Sequence, residues 1–171
     1  FITTDLDDNQ ITAFHPGAMN HSARNKVADA GAVELAIVAP DGRDGMLTHA
    51  RQLADAGIPF IFDPGQGMPM FDGDDLKAFI DLATWVTVND YESELMQERT
   101  GLSPEAIAER VKACIVTRGG EGSQIYTREG RIDIPAARPA SLTDPTGCGD
   151  AFRAGLLYGL VQGLPWETTG R

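Results

Sequence analysis

PFIFDPGQGMPMFDGDDLKAFIDLATWVTV, residues 59–88, decides the fold. Pro59 to Phe62 is a short apolar run with two aromatic rings, the composition of a buried strand. From Asp74 to Ala83 the apolar residues Leu76, Phe79, Ile80 and Ala83 recur at helical spacing and share one side. Asp72, Asp74 and Asp75 ahead of them read as a solvated turn and the cap of that helix. Trp85 to Val88 is apolar again. A strand, an amphipathic helix and a second strand form a β-α-β unit, in which the two strands lie parallel.

The alternation extends in both directions. Upstream, Val33–Ala39 is strand-like, and Gly45–Ala56 places Met46, Leu47, Ala50, Leu53 and Ala54 on one helical face. Downstream come helices at Tyr91–Arg99 and Pro104–Lys112, the second opened by Ser103 as N-cap and Pro104 at its first position. Ala113–Val116 is a strand, Ser123–Tyr126 and Arg131–Ile134 form a hairpin around Glu129-Gly130, and Gly149–Gln162 is a strongly apolar helix. Phe1–Thr4 and Gln10–His15 read as another hairpin. Its turn, Asp5-Leu6-Asp7-Asp8-Asn9, has oxygen ligands like a calcium loop. Gln10 and Pro16 stand where that loop needs Gly and Glu, so it reads as a turn. The expected fold class is α/β: a three-layer α-β-α arrangement around a mostly parallel sheet, with both hairpins adding antiparallel strands.

The chain has 171 residues, 42% of them hydrophobic, which suits one domain over residues 1–171. It begins at Phe1 in a strand-like run and stops at Arg171 just after a helical pattern, so it reads as a piece of a longer protein at both ends. A net charge of −11 argues against nucleic acid or an anionic membrane as partner. No apolar run is long enough to span a bilayer. Cys114 and Cys148 form no Cys-x-x-Cys pair, so neither a zinc site nor a disulfide framework is expected, and the cytoplasm is the expected compartment. His15, His21 and His49 lack metal-ligand spacing.

In open α/β sheets ligands bind beyond the carboxyl ends of the strands. Four successive strands run into Asp41, Asp63, Asn89 and Thr117, which brings four polar side chains to one rim. The strongest local signal is Asp144-Pro145-Thr146-Gly147-Cys148-Gly149-Asp150, at the start of the apolar helix. Its glycines let consecutive N–H groups converge, and the helix dipole adds positive potential, an arrangement that stabilises a transferred phosphoryl group. Asp150, in the first turn, can accept a proton from an attacking hydroxyl. The same residues also read as a tightly packed helix start with an acid complementing the dipole. Cys148 reads either as an activated thiol or as a small side chain in a small space. In Thr117-Arg118-Gly119-Gly120-Glu121-Gly122 the glycines either admit a ligand to the backbone or open a hairpin. Asn89 and Glu92 either orient a hydrated Mg2+ or form a capping box. Neither a P-loop nor a protein-kinase loop is present.

DPTGCGDAFRAGLLYGL, residues 144–160, resembles the C-terminal signature of the ribokinase-like (pfkB) carbohydrate kinase family, Asp-Thr-x-Gly-Ala-Gly-Asp. The resemblance implies a Rossmann-like ribokinase fold, here incomplete, without the N-terminal part and the β lid. It makes Asp150 the catalytic base and Gly147, Cys148 and Gly149 the anion hole. The family's Asn-x-x-Glu motif falls on Asn89 and Glu92, tied to Mg2+ and phosphate. Its Thr-x-Gly motif falls on Thr117 and Gly119, with Gly122 alongside, at the nucleotide phosphates. Pro145 replaces the usual Thr and has no N–H to donate; Cys148 replaces Ala but keeps its N–H. The implied activity is ATP-dependent phosphorylation of a hydroxymethyl group on a sugar or nucleoside, with ATP and Mg2+ required. A monovalent cation and a homodimer are left open. FHPGAMN (14–20) and FDPGQGMPMF (62–71) resemble the adenosine and nucleoside kinase branch. The alternatives are a related kinase with another acceptor, such as a hydroxymethylpyrimidine, and a non-catalytic nucleotide-binding or regulatory module on the same fold.

Overall fold

A computed structural model describes residues 1–4, 10–138 and 147–171. The turn at 5–9 and the signature residues Asp144, Pro145 and Thr146 lie outside the described residues.

The main sheet has six strands in the order β3 (Ala36–Val38), β4 (Phe60–Phe62), β5 (Trp85–Asn89), β6 (Ala113–Thr117), β7 (Ser123–Thr127) and β8 (Gly130–Ile134). β3 to β6 pair in parallel, whereas β6–β7 and β7–β8 pair antiparallel. The parallel strands are joined through helices α1 (Arg43–Asp55), α2 (Gly73–Leu82), α3 (Asp90–Thr100) and α4 (Pro104–Ala108). After β8 the chain reaches α5 (Cys148–Val161) and α6 (Trp166–Thr169).

Alternation along each strand divides the core in two. Phe60, Phe62, Val86, Val88, Cys114 and Val116 face one side, where Met46, Leu53, Leu76, Phe79, Met96 and Ile107 of the first four helices cover them. Phe62 and Phe79 stack with ring centroids 4.3 Å apart. Ile61, Trp85, Ala113, Ile115 and Ile125 face the other side, against Leu156 of α5, with Phe152, Leu160 and Trp166 packed around it. Burial on both faces explains why these strands read as unbroken apolar runs. The three-layer, mostly parallel expectation is met.

One expectation is corrected. Only the second hairpin, β7–β8, joins the main sheet. The first, β1 (Ile2–Thr4) and β2 (Gln10–Thr12), makes a separate two-stranded sheet. Among the described residues its three-residue ladder pairs only with itself, and 3-10 turns at Gly17–Arg24 and Val27–Ala30 intervene before β3. Other elements are also shorter than the sequence suggests, β2 ending at Thr12 and not at His15. β3 covers Ala36–Val38 because its ladder is set by the three residues of β4. α4 stops at Ala108 because Arg110 N–H turns back to Ile107 and Lys112 N–H donates to Thr84, 2.8 Å away, which directs the chain into β6.

Candidate active site

The carboxyl ends of the parallel strands carry the polar residues expected there, and each has a defined partner. Asp41 accepts from Gly42 N–H at 2.7 Å. Thr117 Oγ1 donates to the Val88 carbonyl at 3.4 Å, linking the ends of β6 and β5. Asn89 and Glu92 form a reciprocal capping box at the start of α3. Asn89 Oδ1 accepts from Glu92 N–H at 2.7 Å, and Glu92 Oε2 accepts from Asn89 N–H at 2.9 Å. The other Glu92 oxygen has no hydrogen bond among the described residues. Burial pushes the Glu92 carboxyl above its ordinary range. The Asn89 N–H opposes that shift, the charge of Asp63 adds to it, and that of Arg153 opposes it. Asn89→Ala is expected to lower stability by about 1 kcal/mol, the usual cost of losing a side-chain cap. The loss should appear as a lower urea midpoint at unchanged slope.

Asp63 is 1% exposed and meets a partner ninety positions away in sequence. Arg153, in the second turn of α5, donates Nε–H to Asp63 Oδ2 and Nη2–H to Oδ1, the latter at 2.9 Å. This forked pair ties the end of β4 to the N-terminal part of α5. The sequence alone names Asp63 but gives Arg153 no role. The one available signal is that Arg153 is a lone cation in an apolar helix, one turn beyond Asp150.

Gly147 precedes α5 in a left-handed conformation, φ +81°, and among the described residues no side chain caps the helix there. The first N–H groups of a helix have no intrahelical partner, and those of Cys148, Gly149 and Asp150 have no hydrogen-bond acceptor among the described residues. Cys148, Gly149 and Asp150 are all exposed. A cavity of about 570 Å³ brings Cys148 and Gly149 together with Thr117, Gly119 and Gly122 from the β6–β7 connection. Two glycine-rich motifs far apart in sequence thus share one hollow. Gly147, Asp150, Asn89 and Glu92 are outside its lining, but Glu92 and Asp150 are close enough to act on Arg153. Hydrogen bonding to Asp63 raises the Arg153 guanidinium most, and the charges of Asp63, Glu92 and Asp150 raise it further, against the effect of burial.

A second cavity, of about 780 Å³, unites Phe14, Met19 and Asn20 with Asp41, Gln66 and Met70. These come from FHPGAMN, FDPGQGMPMF and the end of the first core strand. Its walls combine an aromatic ring and thioethers with amide and carboxylate groups. Among the described residues no cluster of three or more His, Cys, Asp or Glu forms a metal cage, and no helix is long and apolar enough to cross a membrane.

An open, mostly parallel sheet with a glycine-rich helix start at its carboxyl rim defines a class of α/β domain in which ligands bind at that rim. All of residues 1–171 match the family described as pfkB family carbohydrate kinase, and the chain belongs to it. It is 34% identical over 170 residues to a nucleoside kinase of Methanocaldococcus jannaschii, covering 99% of this chain and 56% of that protein. The structure of Burkholderia thailandensis nucleoside kinase in complex with inosine superposes with a TM-score of 0.95 at 58% identity, over 99% of this chain and 57% of that one. The same enzyme in complex with ADP-inosine superposes with a TM-score of 0.93. The chain spans a little over half the length of the relatives it matches.

Proposed function

We propose that this chain is the phosphoryl-transfer part of an ATP-dependent nucleoside kinase. The observation that carries the reading is the placement of Asp150 in the first turn of α5, among helix N–H groups that have no acceptor within the described residues, beside a cavity lined by Cys148, Gly149, Thr117, Gly119 and Gly122. The likeness to enzymes named nucleoside kinases, one of them in complex with inosine, supports the acceptor class. The second cavity supports it further, since its ring, thioethers and amides suit a flat base with polar edges.

In this reading ATP lies along the glycine-rich hollow and the nucleoside in the second cavity. The acceptor hydroxymethyl oxygen forms a bond to the γ-phosphorus as the bond to the β,γ-bridging oxygen breaks. The hydroxyl proton passes to Asp150, and ADP leaves. The amides of Gly147, Cys148 and Gly149 hold the charge that spreads over the phosphoryl oxygens. Mg2+, when bound, neutralises phosphate charge. Asn89 and the Glu92 oxygen that makes no hydrogen bond among the described residues are the groups that would hold its waters, consistent with an ion that takes few protein ligands. ATP as donor and two free thiols, Cys114 and Cys148, support a cytoplasmic setting.

The test is an assay of the protein that carries this chain, with ATP, with and without Mg2+. The acceptors are adenosine, guanosine, inosine, ribose, fructose and 2-keto-3-deoxygluconate. Transfer to nucleosides is the expected result. Transfer to sugars alone would replace the acceptor class, and ATP binding without any transfer would establish a nucleotide-binding module instead. Phe14→Ala is expected to raise the KM for the nucleoside roughly 5- to 150-fold, the equivalent of about 1–3 kcal/mol for a lost base stack, with kcat little changed.

A further inference from the structure

Side chains on a helix lean toward its N-terminus, so Arg153 covers the residue four positions before it. That residue is Gly149, the second glycine of the Gly-x-Gly turn. Arg153 Nη1 lies 2.7 Å from where a Cβ on Gly149 would stand. Any other residue at position 149 would displace the guanidinium. Nε and Nη2 are both committed to Asp63, while Nη1 makes no hydrogen bond among the described residues. The fork with Asp63, itself buried at the end of β4, fixes the plane of the guanidinium and leaves its third nitrogen against the anion hole. A purely structural pair needs no such orientation, since well-packed apolar residues of similar volume often replace a buried ion pair without loss. Arginine suits the place and lysine does not, because only a guanidinium can grip a carboxylate with two nitrogens and present a third.

We infer that Arg153, clamped by Asp63, is a catalytic residue that donates Nη1–H to the phosphoryl group during transfer, alongside the Gly147–Gly149 amides. The inference rests on the kinase reading above and adds a charged donor to it. Bonds and protons balance as in that reading: Arg153 stays protonated throughout, and the hydroxyl proton goes to Asp150. Gly149 acquires a second reason to be glycine, as the opening through which Arg153 reaches the hole.

The test compares Arg153→Ala, Arg153→Lys and the unmodified protein, all in the full chain that carries this segment, with the best nucleoside acceptor. Arg153→Ala is expected to lower kcat roughly 10²–10³-fold, the scale for removal of one preorganised donor. KM values for ATP and nucleoside should hold, the signature of an interaction made only in the transition state. Guanidinium salt added to Arg153→Ala should restore part of the turnover, which it would not do if the side chain only braced the fold. Arg153→Lys keeps the charge, loses the fork, and should recover only a fraction of the activity. A kcat for Arg153→Ala close to that of the unmodified protein overturns the inference, and so does a raised KM at unchanged kcat. If Arg153→Ala does not fold, full activity of Arg153→Lys is the overturning result. Absence of phosphotransfer in the unmodified protein removes the kinase reading itself, and this inference with it.

Discussion

Asp150→Asn is expected to lower turnover by on the order of 10²–10⁴, the usual share of general base catalysis, while leaving the protein folded. The two readings of Asp150 separate cleanly on magnitude. As an acid that only complements the helix dipole, it is worth about 0.3–1 kcal/mol of stability at an exposed first turn, and nothing in turnover. Asp150 is exposed, so neutralising it opens no cavity and strands no buried partner. A large fall in kcat with an almost unchanged melting temperature therefore assigns it to chemistry. Asparagine keeps the shape and a side-chain oxygen but cannot take up the hydroxyl proton. KM for ATP should change little, because the amides of the turn come from the backbone and remain. Wild-type turnover in Asp150→Asn would remove the base assignment and leave Asp150 as an acid that only complements the helix dipole.

Much of the fold is legible in the sequence, because burial on both faces writes each parallel strand as an apolar run and each covering helix as a stripe. Phe60, Phe62, Leu76, Phe79 and Ile80 could be read directly, and they form one packed layer. Boundaries fail where a partner, not the local pattern, sets the length. β3 is held to three residues by β4, and α4 is cut short by the hydrogen bond from Lys112 to Thr84. The 3-10 turn at Gly65–Met70 has no periodic signal, since two glycines and Pro69 interrupt it.

The site divides in the same way. Its contiguous parts, Gly147 to Asp150, Asn89 with Glu92, and Thr117 to Gly122, are visible because turn chemistry and helix caps are local. The structure realises the capping box of Asn89 and Glu92, one of the two roles the sequence allows them. The pairing of Asp63 with Arg153 is invisible, because no period tells which distant cation a strand-end carboxylate will meet. The convergence of FHPGAMN and FDPGQGMPMF on one cavity is invisible for the same reason.

Gly122→Ala tests the other wall of the glycine-rich hollow, and it should be among the most destabilising single changes in this chain. Gly122 has φ +96° and ψ −137°, a region that side chains rarely enter. A Cβ there would run into the Ile134 carbonyl oxygen and stand 2.6 Å from Ala136 N. Both obstacles are backbone at the end of β8, so no rotamer change relieves them. Strain of about 1–3 kcal/mol adds to overpacking of about 1–3 kcal/mol. Gly120, two residues away in the same motif, has nothing within 4 Å of its Cβ position and no positive φ. Gly120→Ala should therefore be neutral or stabilise by about 0.4–1 kcal/mol, through a less flexible unfolded chain. Urea denaturation of the two variants side by side gives the answer. Equal midpoints would show that the motif's glycines are interchangeable spacers. A large loss confined to Gly122→Ala, with weakened ATP binding, would show that the close approach of β8 to this turn holds Thr117 and Gly119 against the hollow.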